Sequence, residues 1–176
     1  MSELAPEAIS EFRRLWQTKS RNQSLLSLPD TQLLEDAELM IDGELTNAAL
    51  IILGTKKAVG KHLAQAEVVF EYRSNEADGQ YQQRVEFREG FFLYFSRLWE
   101  TVNLRNEIYQ YREGLFRWDI PTFNENVVRE AVLNAVAHRD YRLGGSVFVR
   151  QSPSTLSIAS PGGFPNGITT EKFLQH

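Results

Sequence analysis

The chain has 176 residues and a formal net charge of −4, and it is long enough for one hydrophobic core or for a core with a smaller lobe. Hydrophobic residues make up 42% of it and charged residues 24%, which is ordinary for a globular protein. The chain contains no cysteine, which excludes disulfides, thiolate chemistry and cysteine-ligated zinc. The negative charge argues against a protein that grips nucleic acid over its whole surface, but it is compatible with a local basic patch.

The sequence gives no sign of a membrane or export segment. The longest apolar run covers residues 48–53, far fewer than the roughly 18 residues that a membrane span requires. The N-terminal residues lack the basic stretch and apolar stretch of a signal peptide. We therefore expect a soluble, cytoplasmic protein with no membrane partner.

The first half of the chain predicts helices followed by a hairpin. Apolar residues recur at helical spacing over residues 6–16, and a second helix is expected over residues 30–39. Thr46 caps or precedes an apolar run that ends at Gly54, and the spacing of this run fits a helix or a strand. Strict alternation then predicts a hairpin over residues 66–73 and 81–87, with Asp78-Gly79 at the turn.

The second half predicts a long helix and several short strands. Aromatic and aliphatic residues at helical spacing favour one helix over residues 91–112, ended by Gly114. A short strand is expected over residues 115–120, before a helix that Asn124 or Asn126 caps.

Two further strands are expected beyond that helix, over residues 146–150 and 156–159. A last short helix would be capped by Thr169 or Thr170. Together these elements indicate an α+β fold, in which a hairpin and long helix pack against a partial two-layer sandwich.

The most informative segment is residues 129–141, which read REAVLNAVAHRDY. Glu130, Asn134 and His138 follow one another at steps of four, so they form one stripe along a helix that is otherwise apolar nearly all round. An all-round apolar helix is typical of a buried one, in which polar groups need partners. A neighbouring part of the protein or a ligand would supply those partners.

The stripe has a chemical and a structural interpretation. A carboxylate can orient and deprotonate a water molecule, and an amide oxygen one turn away can help to hold Mg²⁺ against phosphates. Alternatively, Glu130 pairs with an arginine, Asn134 ties a loop, and His138 and Arg139 favour the helix end through their charge. His138 and Asp140 lie on different faces, which gives no support to a nuclease or metalloprotein site.

This segment resembles the Glu-x-x-x-Asn helix of the GHKL ATPases. It is closer still to the RecG C-terminal-like domain of Schlafen AlbA-type transcriptional regulators, in which E-A-x-x-N-A-x-x-H-R-D-Y precedes two strands and an N/S-P-G-G-x-P turn. The corresponding turn here covers residues 160–165 (SPGGFP), and the match extends over residues 121–171. Residues 42–54 (DGELTNAALIILG) are similar to the segment that precedes that domain.

The resemblance implies a nucleotide site for ATP and Mg²⁺. Glu130 would be the water-orienting base and Asn134 the magnesium ligand. The cofactor-binding residues would be Asn134, His138, Arg139, Ser160, Gly162 and Gly163. Ser160 stands where the wider group carries an adenine-reading aspartate, and a serine hydroxyl reads adenine more weakly. Arg139 and Arg142 would face phosphate, or pair with Asp140 or Glu130.

The resemblance also implies an organisation and a set of partners. Residues 1–113 would be a helical and hairpin connecting region, and residues 114–176 the first half of the ATPase-like domain. The family's lid and most of its DNA-contacting AlbA-like domain are not found, so we expect a nucleotide-binding fragment that does not hydrolyse ATP, from a DNA-associated regulator. The alternative is a non-catalytic structural or dimerisation module, and a homodimer is compatible with either interpretation.

Overall fold

The computed structural model describes residues 2–75 and 80–162 and shows the predicted α+β fold. The α-helices in these residues are α1 (Pro6–Ser20), α2 (Asp30–Asp36), α3 (Asn47–Leu53), α4 (Lys56–His62), α5 (Phe91–Asn103) and α6 (Glu125–His138). The strands are β1 (Met40–Ile41), β2 (Glu44–Leu45), β3 (Val68–Tyr72), β4 (Gln83–Phe87), β5 (Ile108–Glu113), β6 (Phe116–Pro121), β7 (Val147–Gln151) and β8 (Leu156–Ala159).

A four-stranded sheet organises the second half of the molecule, with strand order β4-β3-β7-β8. Strand β3 pairs antiparallel with β4 and parallel with β7, and β7 pairs antiparallel with β8. Helices α5 and α6 pack on one face and enclose a core with the alternate residues of β3 and β7. Strands from both sides of the predicted boundary after residue 113 therefore share one sheet.

A separate core lies among the N-terminal helices. It is built from buried residues of α1 to α4 and of the small β1–β2 hairpin, between Leu4 and Leu63. The apolar run that fitted either helix or strand is helix α3, because the Thr46 hydroxyl accepts a hydrogen bond from the Ala49 amide at 3.2 Å and caps it. Helix α1 continues to Ser20, beyond its predicted end, and α2 ends at Asp36, before its predicted end.

The prediction of one helix over residues 91–112 is wrong. Helix α5 ends at Asn103, and residues 108–113 form β5, which pairs with β6. Gly114 lies in the turn between these strands with φ +57°, a left-handed conformation that glycine adopts without steric cost. Ile108 and Tyr109 fit the helical spacing of the residues before them, but they are the first two residues of a strand.

The other local predictions hold where the structure describes them. Strands β3, β4, β7 and β8 lie at the predicted positions, and Asn124 caps α6 by accepting hydrogen bonds from the Asn126 and Val127 amides. The predicted Asp78-Gly79 turn and the last helix, with its Thr169 or Thr170 cap, lie outside the described residues. None of the described helices has the length and apolar character that spanning a bilayer needs.

Two glycines join the two cores by direct contact of their backbones. The Gly90 amide donates to the Gly54 carbonyl at 2.8 Å. A Cβ atom on Gly90 would lie 2.6 Å from the Gly54 nitrogen and 2.7 Å from the Ile52 carbonyl oxygen. No side chain fits in this gap, so the junction depends on glycine at position 90.

We predict that Gly90→Ala separates the two cores and lowers the free energy of unfolding by about 1–3 kcal/mol, the usual cost of overpacking. The matched control is Gly60→Ala in α4, where a Cβ atom would meet nothing within 4 Å. This control should be stabilising, by roughly 0.5–1 kcal/mol, because alanine favours the helix. Chemical denaturation of both variants checks the pair, and equal effects would contradict the contact.

Candidate functional site

Helix α6 carries the predicted stripe on an exposed face. Val128, Val132 and Val136 point into the core, one helical turn apart. The opposite face is exposed along its length, at Val127, Glu130, Asn134, Ala137 and His138. The expectation of a helix buried nearly all round is therefore wrong, since α6 is amphipathic with an exposed valine at 127. The polar groups do not need partners to compensate for burial.

Glu130 and Asn134 contact each other across one helical turn. The Asn134 side-chain N–H donates to Glu130 Oε1 at 3.3 Å. This bond uses the amide nitrogen, so it does not occupy the amide oxygen, which is the atom that a cation would bind. The Glu130 carboxylate and the Asn134 amide thus lie on the same exposed face, one helical turn apart. The contact between Glu130 and Asn134 accounts for the positions of both side chains. The structural interpretation, in which an arginine pairs with Glu130 and a loop binds Asn134, is therefore not needed to explain them.

Arg139 follows the stripe but turns into the protein. It is 5% exposed, and its guanidinium donates to the carbonyl oxygens of Gln65 at 2.8 Å and Gly145 at 2.9 Å. It also lies 4.8 Å from the centre of the Tyr141 ring. Burial lowers the pKa of this guanidinium from its ordinary value. These contacts hold the loop after α6 against the segment before β3.

Asp140 and Arg142 form a second, exposed pair in the same loop. The Arg142 guanidinium donates to both carboxylate oxygens of Asp140, at 2.9 and 2.8 Å, and the Arg142 amide donates to Oδ1 at 3.0 Å. The side-chain bonds from Arg142, followed by its backbone bond, lower the pKa of Asp140 to about 2. Of the two predicted pairings for these arginines, Arg142 with Asp140 is confirmed, whereas Arg139 binds backbone carbonyls.

The two motifs that carry the resemblance meet at this loop. The Asp140 amide donates to the Pro161 carbonyl at 3.0 Å. A Cβ atom on Gly162 would lie 3.2 Å from the Asp140 nitrogen, and Gly162 has φ +118°, so glycine suits this close approach. Ser160 is exposed beside it. Gly163, also a predicted site residue, lies outside the described residues.

Sequence reasoning missed the role of Gln65, which lies far from the motif in the chain. Its side-chain N–H donates to the Tyr141 carbonyl at 2.8 Å, while its own carbonyl accepts from Arg139. Gln65 thus binds the loop twice, through its side chain and through its backbone carbonyl. No local pattern marks a glutamine for such a contact, because the contact exists only once β3 and β7 pair.

The oxygens of the stripe suit Mg²⁺ better than a transition metal. Over residues 2–75 and 80–162, no group of three or more histidine, aspartate or glutamate side chains is placed to hold a metal ion. A magnesium ion bound through one or two protein oxygens normally takes its other ligands from water and substrate phosphates. The arrangement is therefore compatible with a metal that arrives with a nucleotide.

Comparisons with known proteins concern the fold and name no activity. Residues 1–69 match a domain of unknown function, DUF8451, a range that includes the N-terminal core. No curated protein matches the chain. The crystal structure of the DIP2311 protein from Corynebacterium diphtheriae is similar, with 27% sequence identity and a TM-score of 0.76. The match covers 98% of this chain and 33% of that one, so the present chain spans about a third of that protein's length.

We predict that Arg139→Lys destabilises the protein by about 2–4 kcal/mol. A lysine lacks the planar fork, so at least one buried carbonyl oxygen would lose its partner. Thermal unfolding should show a fall of about 2–4 °C for each kcal/mol. Arg142→Lys is the matched control, since the Arg142 side chain is 90% exposed, and its melting temperature should equal that of the wild type. A melting temperature of Arg139→Lys equal to that of the control would contradict the structural role.

Proposed function

We propose that this chain carries the ATPase-like, nucleotide-binding core of a RecG-like, DNA-associated transcriptional regulator. The part of the proposal that concerns DNA and transcription rests on the sequence resemblance. The part that concerns nucleotide also has support from the geometry of α6 and of the loop that follows it.

The supporting observation is that the two motifs of the resemblance, about twenty residues apart in the chain, lie in contact. The Asp140 to Pro161 hydrogen bond and the packing of Gly162 on Asp140 bring the proline-glycine turn to the end of α6. The Glu130–Asn134 pair lies on the exposed face of the same helix. A ligand on this face would meet a carboxylate and an amide, and the turn contacts Asp140, two residues beyond the end of the same helix.

The residues present suit a magnesium–nucleotide complex. Bound Mg²⁺ would neutralise phosphate charge. The Asn134 amide oxygen would ligate this ion, and the Glu130 carboxylate would orient a water molecule. His138, one turn further along, would face the phosphates, and Gly162 would allow close backbone approach. Arg139 is the weakest of the proposed ligands, because its guanidinium already binds three backbone carbonyl groups.

A second candidate is a non-catalytic module that keeps the ATPase fold for structural reasons. The loop after α6 favours this alternative, because Arg139 is buried and Asp140 is paired with Arg142. In this case the stripe would be an ordinary solvated helix face. Nucleotide binding distinguishes the two candidates.

The test is thermal unfolding with and without magnesium and ATP. A ligand at about 100 times its dissociation constant adds about 2.7 kcal/mol of stability. For a chain of this length that corresponds to a rise of about 5–10 °C. In Asn134→Ala the rise should disappear, because the magnesium ligand is lost while an exposed helical alanine is well tolerated.

Asn126→Ala is the matched control, since Asn126 is exposed on the same helix but lies two turns before Asn134. It should keep the full rise in melting temperature. The absence of a rise in the wild type at millimolar nucleotide would favour the structural module. A rise that persists in Asn134→Ala would place the nucleotide elsewhere and contradict the assigned site.

A further inference from the structure

The β5–β6 hairpin projects from the body of the protein with all of its residues exposed. Its base is fixed by Asn106, whose side chain donates to the Phe123 carbonyl at 2.8 Å and accepts from the Phe123 amide at 2.9 Å. Phe123 itself is buried in the second core. The hairpin is therefore an arm whose position is set at its root. A two-stranded hairpin is marginally stable by itself in water, so an arm of this kind needs further packing.

The strand register gives the arm two different faces. The cross-strand pairs Tyr109–Ile120 and Tyr111–Trp118, together with Phe116, lie on one face. The pairs Gln110–Asp119 and Arg112–Arg117 lie on the other. The face that carries the tyrosines, here called the aromatic face, consists of Tyr109, Tyr111, Phe116, Trp118 and Ile120.

The aromatic face is highly exposed for apolar side chains. Its members are between 51% and 70% exposed. Large side chains offer about 150–250 Å² each when fully buried, so this face presents roughly 500–600 Å². Contiguous apolar patches of this size usually mark an interaction site.

The distribution of charge indicates what covers this face. A single-stranded nucleic acid would need cations beside the stacking aromatics. The charged side chains on this side of the hairpin are acidic: Glu113, opposite Phe116 at the tip, and Glu107 at the base, whose carboxylate accepts a hydrogen bond from the Tyr109 hydroxyl at 3.3 Å. Arg112 and Arg117 point the other way. Arg117 also lies 3.6 Å from Asp119. The face therefore suits an apolar partner better than a phosphate backbone.

The geometry points to a second copy of this chain as the occupant, with the two aromatic faces packed about a two-fold axis. An isologous interface places the same surface on both partners, and aromatic side chains pack well against one another. Two such faces bury about 1,000–1,200 Å² in total, which reaches the size of a small specific interface. In this arrangement the opposite face of each hairpin, which carries the pairs Gln110–Asp119 and Arg112–Arg117 and is here called the charged face, stays in solvent. This inference does not depend on nucleotide binding.

Sedimentation velocity of the full chain, from low to high micromolar concentration, tests the inference. We expect a monomer–dimer equilibrium in the wild type. Tyr111→Glu places a charge at the centre of the interface and should raise the dimer dissociation constant at least about 30-fold, as for an interface hot spot. The control is Arg112→Glu, which introduces the same amino acid at the next position of the chain, on the opposite face of the hairpin. Position 112 faces Arg117 across the strands, away from the aromatic face. This substitution should therefore leave the dimer dissociation constant unchanged.

A second measurement avoids any change to the aromatic face. The chain has no native cysteine, so Arg112→Cys allows a single spin label per copy on the charged face. Dimers should give one narrow distribution of distances between labels. Three results would overturn the inference: a wild type that stays monomeric at high micromolar concentration, a dimer equally sensitive to both glutamate substitutions, or a monomer that binds a single-stranded oligonucleotide through Tyr111.

Discussion

The parallel pairing of β3 with β7 is the constraint on which the rest of the structure depends. Parallel neighbours need a long crossover connection, and here that connection contains β4, α5, the projecting hairpin and α6. The apolar faces of α5 and α6 are buried only because this pairing provides a sheet to cover. Burial of apolar area is the main favourable contribution to such a fold, so the pairing and the helix packing stabilise each other.

The same pairing determines where the polar groups lie. Since α6 covers the sheet with its valines, its Glu130, Asn134 and His138 stripe must face outward. The chain then returns to begin β7, and Arg139 fixes that loop to the segment that enters β3. The turn after β8 comes back against Asp140. The position of the candidate nucleotide site is thus a consequence of sheet topology.

The sequence predicts elements with a clear local signal and fails where two patterns coincide. Alternation in β3 and β4 and the capping by Asn124 were sufficient to place those elements. The helix assigned through residue 112 was wrong because Ile108 and Tyr109 match a helical and a strand pattern alike, and the Asn106–Phe123 hydrogen bonds that decide between them are tertiary. Within the site, the stripe could be predicted from its spacing. The exposure of Val127 and the contacts of Gln65 could not, because they depend on the packing partner.

The most direct test of the central claim is a map of backbone amide chemical shifts with magnesium and a non-hydrolysable ATP analogue. We predict perturbations concentrated over residues 130–142 and 160–162, which include the stripe, the loop that follows it and the proline-glycine turn. Perturbations confined to another surface, such as the outer face of the sheet around Glu71 and Arg150, would contradict the account. The absence of any perturbation at millimolar analogue would contradict it equally.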